Sequence, residues 1–336
     1  MIAFVARRCA QAVITMLVAV ALIFIAVRLL PGNPVLSKFG QHVDPAQVAK
    51  IKAEQGWDRP IVVQLFEFAR QVITTGDLGE SLARANESVS EELRHRVPAT
   101  IELTLAAMLI AVPIGVAAGV LAAVRRNRFL DYFCMTGSLL GVSTPVFFLG
   151  ILLRAAFPHM PPGFRLPHNV FDFEPVTGLY VLDTLLRGRF DLIVPAMTHL
   201  CLPALALSSI PMSIIARVTR ASMLEVLAAD YVRTARAKGS SAWRLVIHHA
   251  FPNAAVPVVN IVGLQVGLLL SGAVLTETVF DWPGLGKYLV DALLINDYVV
   301  VQAGALVIAL MFVTVNLVLD LLFVWLDPRI RQWERS

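Results

Sequence analysis

Apolar side chains run in six long blocks along the chain, at 9–30, 99–124, 133–157, 193–216, 254–276 and 301–326. Each block is apolar on every side rather than striped at the helical period, and each has the roughly 20 residues that cross a hydrocarbon core about 30 Å thick. The polar positions between the blocks carry helical punctuation. In 31–98, Asp44 followed by Pro45 and closed by Gly56 predicts one short helix, Pro60 opens a second through Ile73, and Ser88 with Glu91 makes a capping box for a third. In 225–253, Asp230 predicts an N-cap, 231–238 two helical turns and Gly239 a left-handed C′ position; Ser240 or Ser241 caps a second short helix ending before Pro252. The product is a helix-turn-helix lying along the membrane. Its basic residues fall on one side, and Tyr231, Val232, Ala235, Trp243, Leu245 and Val246 offer apolar contacts that fit a groove in a partner.

Composition narrows the class. The 336 residues are 57% hydrophobic and 15% charged, with mean hydropathy +0.72, which implies an all-α integral membrane protein with six transmembrane helices. The loops 1–8, 125–132, 217–253 and 327–336 share one side and hold a clear excess of Lys and Arg, including Arg217, Arg220, Arg233, Arg236, Lys238 and Arg244. Basic loops stay cytoplasmic, so both termini are expected there, and the pI near 9.1 is topological rather than a nucleic-acid signal. Arg7 and Arg8 before the first block look like a signal-peptide start. The block is too long and ends in Pro31-Gly-Asn-Pro34 without a small-x-small site, so an uncleaved first span is expected. The organisation is a tail and first span (1–30), an outer helical region (31–98), a core of five spans (99–326) holding the cytoplasmic loop 217–253, and a tail (327–336).

Within the blocks, Pro113, Pro145, Pro195, Pro203 and Pro211 and glycines such as Gly115, Gly119 and Gly141 suit either a pathway that opens and closes or plain close packing. Ser143-Thr144-Pro145 is the best place for a kink whose freed carbonyl meets a hydroxyl. Arg28, Arg154 and Glu102 lie near span ends, where long side chains snorkel; His199 and Asn260 read as packing residues, and Asp320 as a structural partner for an arginine of the tail. Cys9, Cys134 and Cys201 have no metal-like spacing and read as buried, inert thiols. Asn86-Glu-Ser88 matches a glycosylation sequon by chance.

Ala235, Gly239 and Pro252 fall on the spacing of Glu-Ala-Ala, three residues, Gly, nine residues, Ile-x-Leu-Pro; Arg233 stands at the Glu position and Thr234 at the first Ala. This resembles the coupling loop of ABC importer permeases. The longer string from Asp230-Tyr-Val-Arg-Thr-Ala-Arg-Ala-Lys to Gly239 is similar to the peptide branch of that family, as are Gly76-Asp77-Leu78-Gly79-Glu-Ser81 and Glu277-Thr-Val-Phe280-Asp-Trp-Pro283-Gly284-Leu-Gly286. The loop 158–194, with Pro175-Val-Thr-Gly178, resembles the dipeptide subgroup of the dipeptide, oligopeptide and nickel transporters.

The resemblance implies a type I ABC importer permease fold in a bacterial inner membrane. It also implies a second homologous permease, two cytoplasmic ATPases holding ATP and Mg, and a soluble periplasmic binding protein, with no cofactor in this chain. Asp230, Tyr231, Arg233, Thr234, Ala235, Arg236, Lys238, Gly239 and Trp243 are then ATPase-coupling residues. Gly76, Asp77, Leu78 and Gly79 form a docking turn whose bland alternative is a plain glycine turn. Glu277, Phe280, Pro283, Gly284 and Gly286 belong to an outer gate.

On physical grounds Pro283, Gly284 and Gly286 turn the chain at the outer interface, Trp282 and Tyr288 anchor there, and Glu277 either meets a peptide amine or is a solvated carboxylate. Gly284-Leu-Gly-Lys287 lacks the first Gly and the hydroxyl residue of a phosphate-binding loop, so energy is expected from another subunit. An intramembrane hydrolase would need paired catalytic groups at span depth, and an ion-coupled carrier charged residues near mid-bilayer; the charged residues in the blocks lie near their ends. Dipeptides, longer peptides, nickel chelates and haem remain open as cargo, and the mechanism expected is mechanical: the loop as a lever on the spans beside it.

Overall fold

A computed structural model describes residues 2–29, 50, 53, 56, 58–84, 87–161, 163–170 and 172–326. The chain folds into α1 (Ile2–Leu29), α2 (Ile61–Thr75), α3 (Val89–Val124), α4 (Phe129–Ser143), α5 (Val146–Ala156), α6 (Tyr180–Leu186), α7 (Ile193–Leu227), α8 (Asp230–Ala237), α9 (Phe251–Gly272), α10 (Val274–Val279), α11 (Leu285–Leu294) and α12 (Tyr298–Leu326). Among the described residues five segments are long and apolar enough to cross a membrane: Val5–Arg28, Val89–Val124, Phe190–Leu227, Ala242–Ser271 and Tyr298–Leu321. The pair α4 and α5, bent by 105°, takes the place of the sixth.

That bend corrects a continuous third span. Pro145 removes a backbone donor and Thr144 leaves the helical region (φ −84, ψ 120), so the expected kink becomes a break. The Thr144 hydroxyl donates to the Leu140 carbonyl at 2.8 Å, but that carbonyl already accepts the Thr144 amide at 2.9 Å, so the hydroxyl adds a second donor there rather than meeting a carbonyl freed by the proline. The opposite correction applies to the second span. The third capped helix and the span are one helix, Val89–Val124, with Pro98 and Pro113 inside it. Ser88 sits at its N-cap without a side-chain cap bond, its backbone paired instead with Glu80 across an antiparallel bridge.

α3 and α7 hold 36 and 35 residues, which at 1.5 Å per residue gives roughly 50 Å each, well beyond the hydrocarbon core. They pack along each other, and the reason lies in small residues. A Cβ on Gly115 would come within 2.7 Å of the Met212 carbonyl, and one on Gly119 within 2.6 Å of the Ala216 carbonyl, so only glycine lets the backbones approach this closely. The central core joins Leu103, Ala107 and Ala111 of α3 to Leu207 and Ile215 of α7 and Val258 of α9. α12 closes the bundle against α1 and α9.

Small clusters finish the two ends. Ala123, Met223, Val246 and Ala250 seal the end that carries the basic loop, here called the basic side. Val89, Leu93, Leu285, Tyr288 and Tyr298 seal the far side. Val13, Ile14, Leu17 and Leu22 of α1 stay exposed, which is how an all-round apolar helix meets lipid. The thiols differ from expectation: Cys9 is exposed and Cys134 and Cys201 are half-buried, because their helices present those positions outward.

α2 begins after Pro60, as its punctuation predicts, and runs to Thr75, two residues beyond the expected end at Ile73, with left-handed Gly76 (φ 66) closing it. Gly56 is left-handed (φ 67) and Lys50 and Ala53 before it are helical, while Asp44 and Pro45, Pro31 to Pro34, Asn86 and the tail 327–336 lie outside the described residues. Asp320 pairs with Arg8 at 3.2 Å, at the start of the chain rather than in the tail. His199 is buried with its Nδ1 at 2.8 Å from the Pro195 carbonyl, a satisfied packing residue, and Asn260 is exposed. Arg154 donates to the Val279 carbonyl at 2.7 Å, and the Arg28 guanidinium lies 4.9 Å from the centre of the Phe24 ring.

Candidate functional site

On the basic side α7 runs straight into the helix-turn-helix. α8 spans Asp230–Ala237 with Ala229, not Asp230, at the N-cap. The Asp230 carboxylate instead lies in the first turn, facing Arg233 at 3.5 Å, where a negative charge still suits the helix dipole. Thr234 donates to the Asp230 carbonyl at 3.0 Å. Gly239 has φ +82, the left-handed value its position predicts, and Ser241 caps the next turn by accepting the Arg244 amide at 3.4 Å.

The second helix does not end before Pro252. The single turn Ala242–Arg244 passes into a π-helical turn, Leu245–Ala250, and on into α9. Pro252 has no amide to give, and the widened turn lets it enter the first turn of α9, where none is required. The His249 carbonyl is met by the Asn253 side chain at 2.9 Å and by the Tyr231 hydroxyl at 3.4 Å. Of the predicted apolar contacts, Val232, Leu245 and Val246 are buried, Ala235 is half-buried, and Tyr231 and Trp243 are exposed, Trp243 to 73%. Arg236 and Lys238 are exposed beside them. The loop is thus bolted to α7 and α9 by aliphatic side chains while its two aromatic rings and its charges face outward.

On the far side the turn 280–287 is built the other way round. Glu277, which the sequence left between facing a pathway and being solvated, is completely buried. Its carboxylate accepts the Thr100 hydroxyl at 2.6 Å and the Lys287 amide at 2.9 Å, and the Gly286 amide points to it as well. Burial pushes its carboxyl above the ordinary carboxylate range, and these donors pull it part of the way back. A Cβ on Gly284 would collide with the carboxylate, and one on Gly286 would come within 2.7 Å of the Val274 Cα, so both glycines are demanded by close approach. Trp282 and Tyr288 are buried rather than anchored at an interface, because their polar atoms find partners inside: Trp282 Nε1 donates to the Ala99 carbonyl at 2.9 Å and the Tyr288 hydroxyl lies 3.4 Å from Glu87. Phe280 is buried against Leu202 and Ala206, and Pro283 is half-buried.

The Gly76-Asp77-Leu78-Gly79 turn lies on the same side. Asp77 accepts the Gly79 amide at 2.9 Å and Leu78 N donates to Ser90 at 2.9 Å, while Gly79 adopts φ +97. Asp77, Leu78, Gly79 and Glu80 form part of the wall of a cavity of about 440 Å³. Buried Asp297 holds the following residues by accepting the Leu82 and Ala83 amides, each at 3.2 Å.

The chain matches the family model described as "Binding-protein-dependent transport system inner membrane component" over residues 115–332, and its N-terminal companion over residues 1–104. The chain belongs to that family of permeases. Relatives include a di/tripeptide transport system permease protein of Pseudomonas aeruginosa, 45% identical over 98% of this chain and 99% of its own length. A dipeptide transport system permease protein of Escherichia coli K12 is 42% identical over 98% and 99%. A glutathione transport system permease protein of Salmonella paratyphi A is 38% identical, again over 98% and 99%. The multi-pass helical fold and an inner-membrane location agree with the family.

Several residues that shape this permease escaped the sequence reading. Arg165 reaches from the loop after α5 to Glu102 of α3, with Nε at 3.1 Å and Nη2 closer still, and its guanidinium lies 3.7 Å from the centre of the Tyr180 ring. Both partners are buried, so Glu102 does not snorkel. Asp183, fully buried, accepts the Thr177 and Gly178 amides, each at 2.9 Å, and so folds the same loop. Asp131 receives Arg220 through two bonds, at 2.6 and 2.8 Å, tying α4 to α7 on the basic side. No local pattern marks Arg165, Thr100 or Arg220, whose partners lie far away in sequence. Asp297 does carry a signal, an N-cap residue just ahead of an apolar block, and it accepts the Val300 amide at 3.3 Å accordingly.

Proposed function

We propose that this permease is the membrane-spanning subunit of an ATP-driven importer that moves dipeptides and other short peptides from periplasm to cytoplasm. The basic side is cytoplasmic, since Lys and Arg concentrate in its loops. Two ATPase subunits carrying ATP and Mg bind there, a second homologous permease completes the pathway, and a periplasmic binding protein delivers the peptide to the far side.

One observation carries this reading. The loop on Val232, Leu245 and Val246 is fixed to two spans yet keeps Trp243 and Tyr231 exposed among Arg233, Arg236 and Lys238. Fixed and outward-facing at once, it can enter a groove of an ATPase and carry the groove's movement into α7 and α9 as a lever. Asp230 and Thr234 shape its first helix, Ala235 packs it, and Gly239 sets its angle. On the periplasmic side Gly76, Asp77, Leu78 and Gly79 offer a shaped surface to the binding protein. The turn of Phe280, Pro283, Gly284 and Gly286 belongs to the outer gate, with Glu277 as its internal support. The relatives named for di/tripeptide and glutathione transport support small peptides as cargo.

The test is uptake of a labelled dipeptide by cells lacking this chain, with and without it restored. Restored uptake is expected. Unchanged uptake, with the permease present in the membrane, would move the cargo to longer peptides, nickel chelates or haem.

A further inference from the structure

The buried contacts of Thr100 form the centre of a clasp. Thr100, 2% exposed, donates to Glu277 Oε1 at 2.6 Å and accepts the Leu285 amide at 2.8 Å, while the carbonyl of its neighbour Ala99 accepts Trp282 Nε1 at 2.9 Å. One turn of α3 therefore holds α10, the turn and the start of α11 together. The chain leading into this turn is interrupted by contrast: α9 stops at Gly272, and α10 begins afresh at Val274 after the buried Ala273. Along α3 in the other direction, Gly115 and Gly119 lie against the α7 backbone, and α7 continues into the cytoplasmic loop. From Thr100 to Ala123 at the cytoplasmic end is roughly 35 Å of continuous helix.

We propose that Thr100 is a positioning residue. It fastens the periplasmic turn to α3, so that the turn moves with the α3–α7 pair when the cytoplasmic loop is driven, and not with α9, from which its own chain arrives. This rests on the importer reading above and adds the route by which the loop's movement reaches the outer gate.

The clasp is tested in the assembled transporter, reconstituted in proteoliposomes with its binding protein. Thr100→Val keeps the shape but removes both hydrogen bonds, leaving a buried amide and one carboxylate lone pair unmet, so peptide uptake should fall about tenfold while ATP hydrolysis stays within about twofold. Thr100→Ser keeps the hydroxyl and should restore the peptide-to-ATP ratio. Spin labels at Leu105→Cys on α3 and Leu294→Cys on α11, both exposed positions, give a readout that needs no peptide. Their separation should be the same with and without trapped ATP in the native and Thr100→Ser backgrounds, and should spread in Thr100→Val.

A native peptide-to-ATP ratio in Thr100→Val, equal loss of uptake and hydrolysis, or a label distance that shifts with ATP in the native background would each overturn the clasp. A native complex that takes up no dipeptide yet holds the label distance would sink the choice of cargo and support the clasp.

Discussion

The basic-side loop and the far-side turn are both short, glycine-punctuated and rich in aromatic and charged residues, yet they use those residues in opposite ways. In the loop Trp243 and Tyr231 are exposed; in the turn Trp282 and Tyr288 are buried, with 1% and 2% of their surface accessible. Gly239 is glycine because its backbone is left-handed and has empty space around it, whereas Gly284 is glycine because the Glu277 carboxylate occupies the place of a side chain. In the loop the cations Arg236 and Lys238 are exposed, whereas the buried Glu277 carboxylate and Trp282 Nε1 of the turn are answered inside the chain. A loop whose rings and cations face outward can lose one of those side chains and keep its fold, while an internally satisfied turn cannot.

This difference is sharpest where a buried charge is left alone. Arg165→Leu should destabilise the permease by about 3–5 kcal/mol, because Glu102 would keep its burial and lose its cation. Thermal unfolding in detergent measures it, and Glu102→Leu with Arg165→Leu together should recover most of the loss; an unchanged midpoint in the single variant would show that water reaches Glu102.

Next is Gly284→Ala, whose Cβ meets the Glu277 carboxylate and should cost about 1–3 kcal/mol by overpacking, read the same way. A neutral result would mean that the turn yields and is built more like the loop.

Gly239→Val tests the other region. A β-branched residue at φ +82 should cost about 1–2 kcal/mol locally. The chain should still insert, while peptide uptake falls relative to ATP hydrolysis, because the angle between the two short helices changes. Uptake in native proportion to hydrolysis would count against a rigid capped turn.

The smallest effect on stability is expected for Trp243→Ala, within about 0.5 kcal/mol for an exposed ring. Its effect on ATPase binding should be larger, about 2 kcal/mol, measured by the amount of ATPase retained on purified permease. A destabilised fold with unchanged ATPase binding would reverse the assignment of the loop as a docking surface.

Periodicity and composition determine much of this protein unaided. Blocks that are apolar on every side have no alternative to the bilayer, and the turn residues Pro60, Gly239 and Ser241 act through local backbone geometry, so the helix starts and the turn they mark fall where their chemistry puts them. The break at Pro145 was legible as a kink, but its 105° was not, because the size of a bend depends on what each half packs against. The helix through Pro98 was read as two because proline is a local breaker; in the fold, the contacts of Ala99 and Thr100 with Trp282 and Glu277 hold the helix on course past it. The same limit explains Glu277 and Arg165. A carboxylate at a span end looks alike in sequence whether it is solvated, lines a pathway or is enclosed by Thr100, Gly284, Gly286 and Lys287. Burial and hydrogen-bond partners are properties of distant segments brought together, and only the tertiary structure decides them.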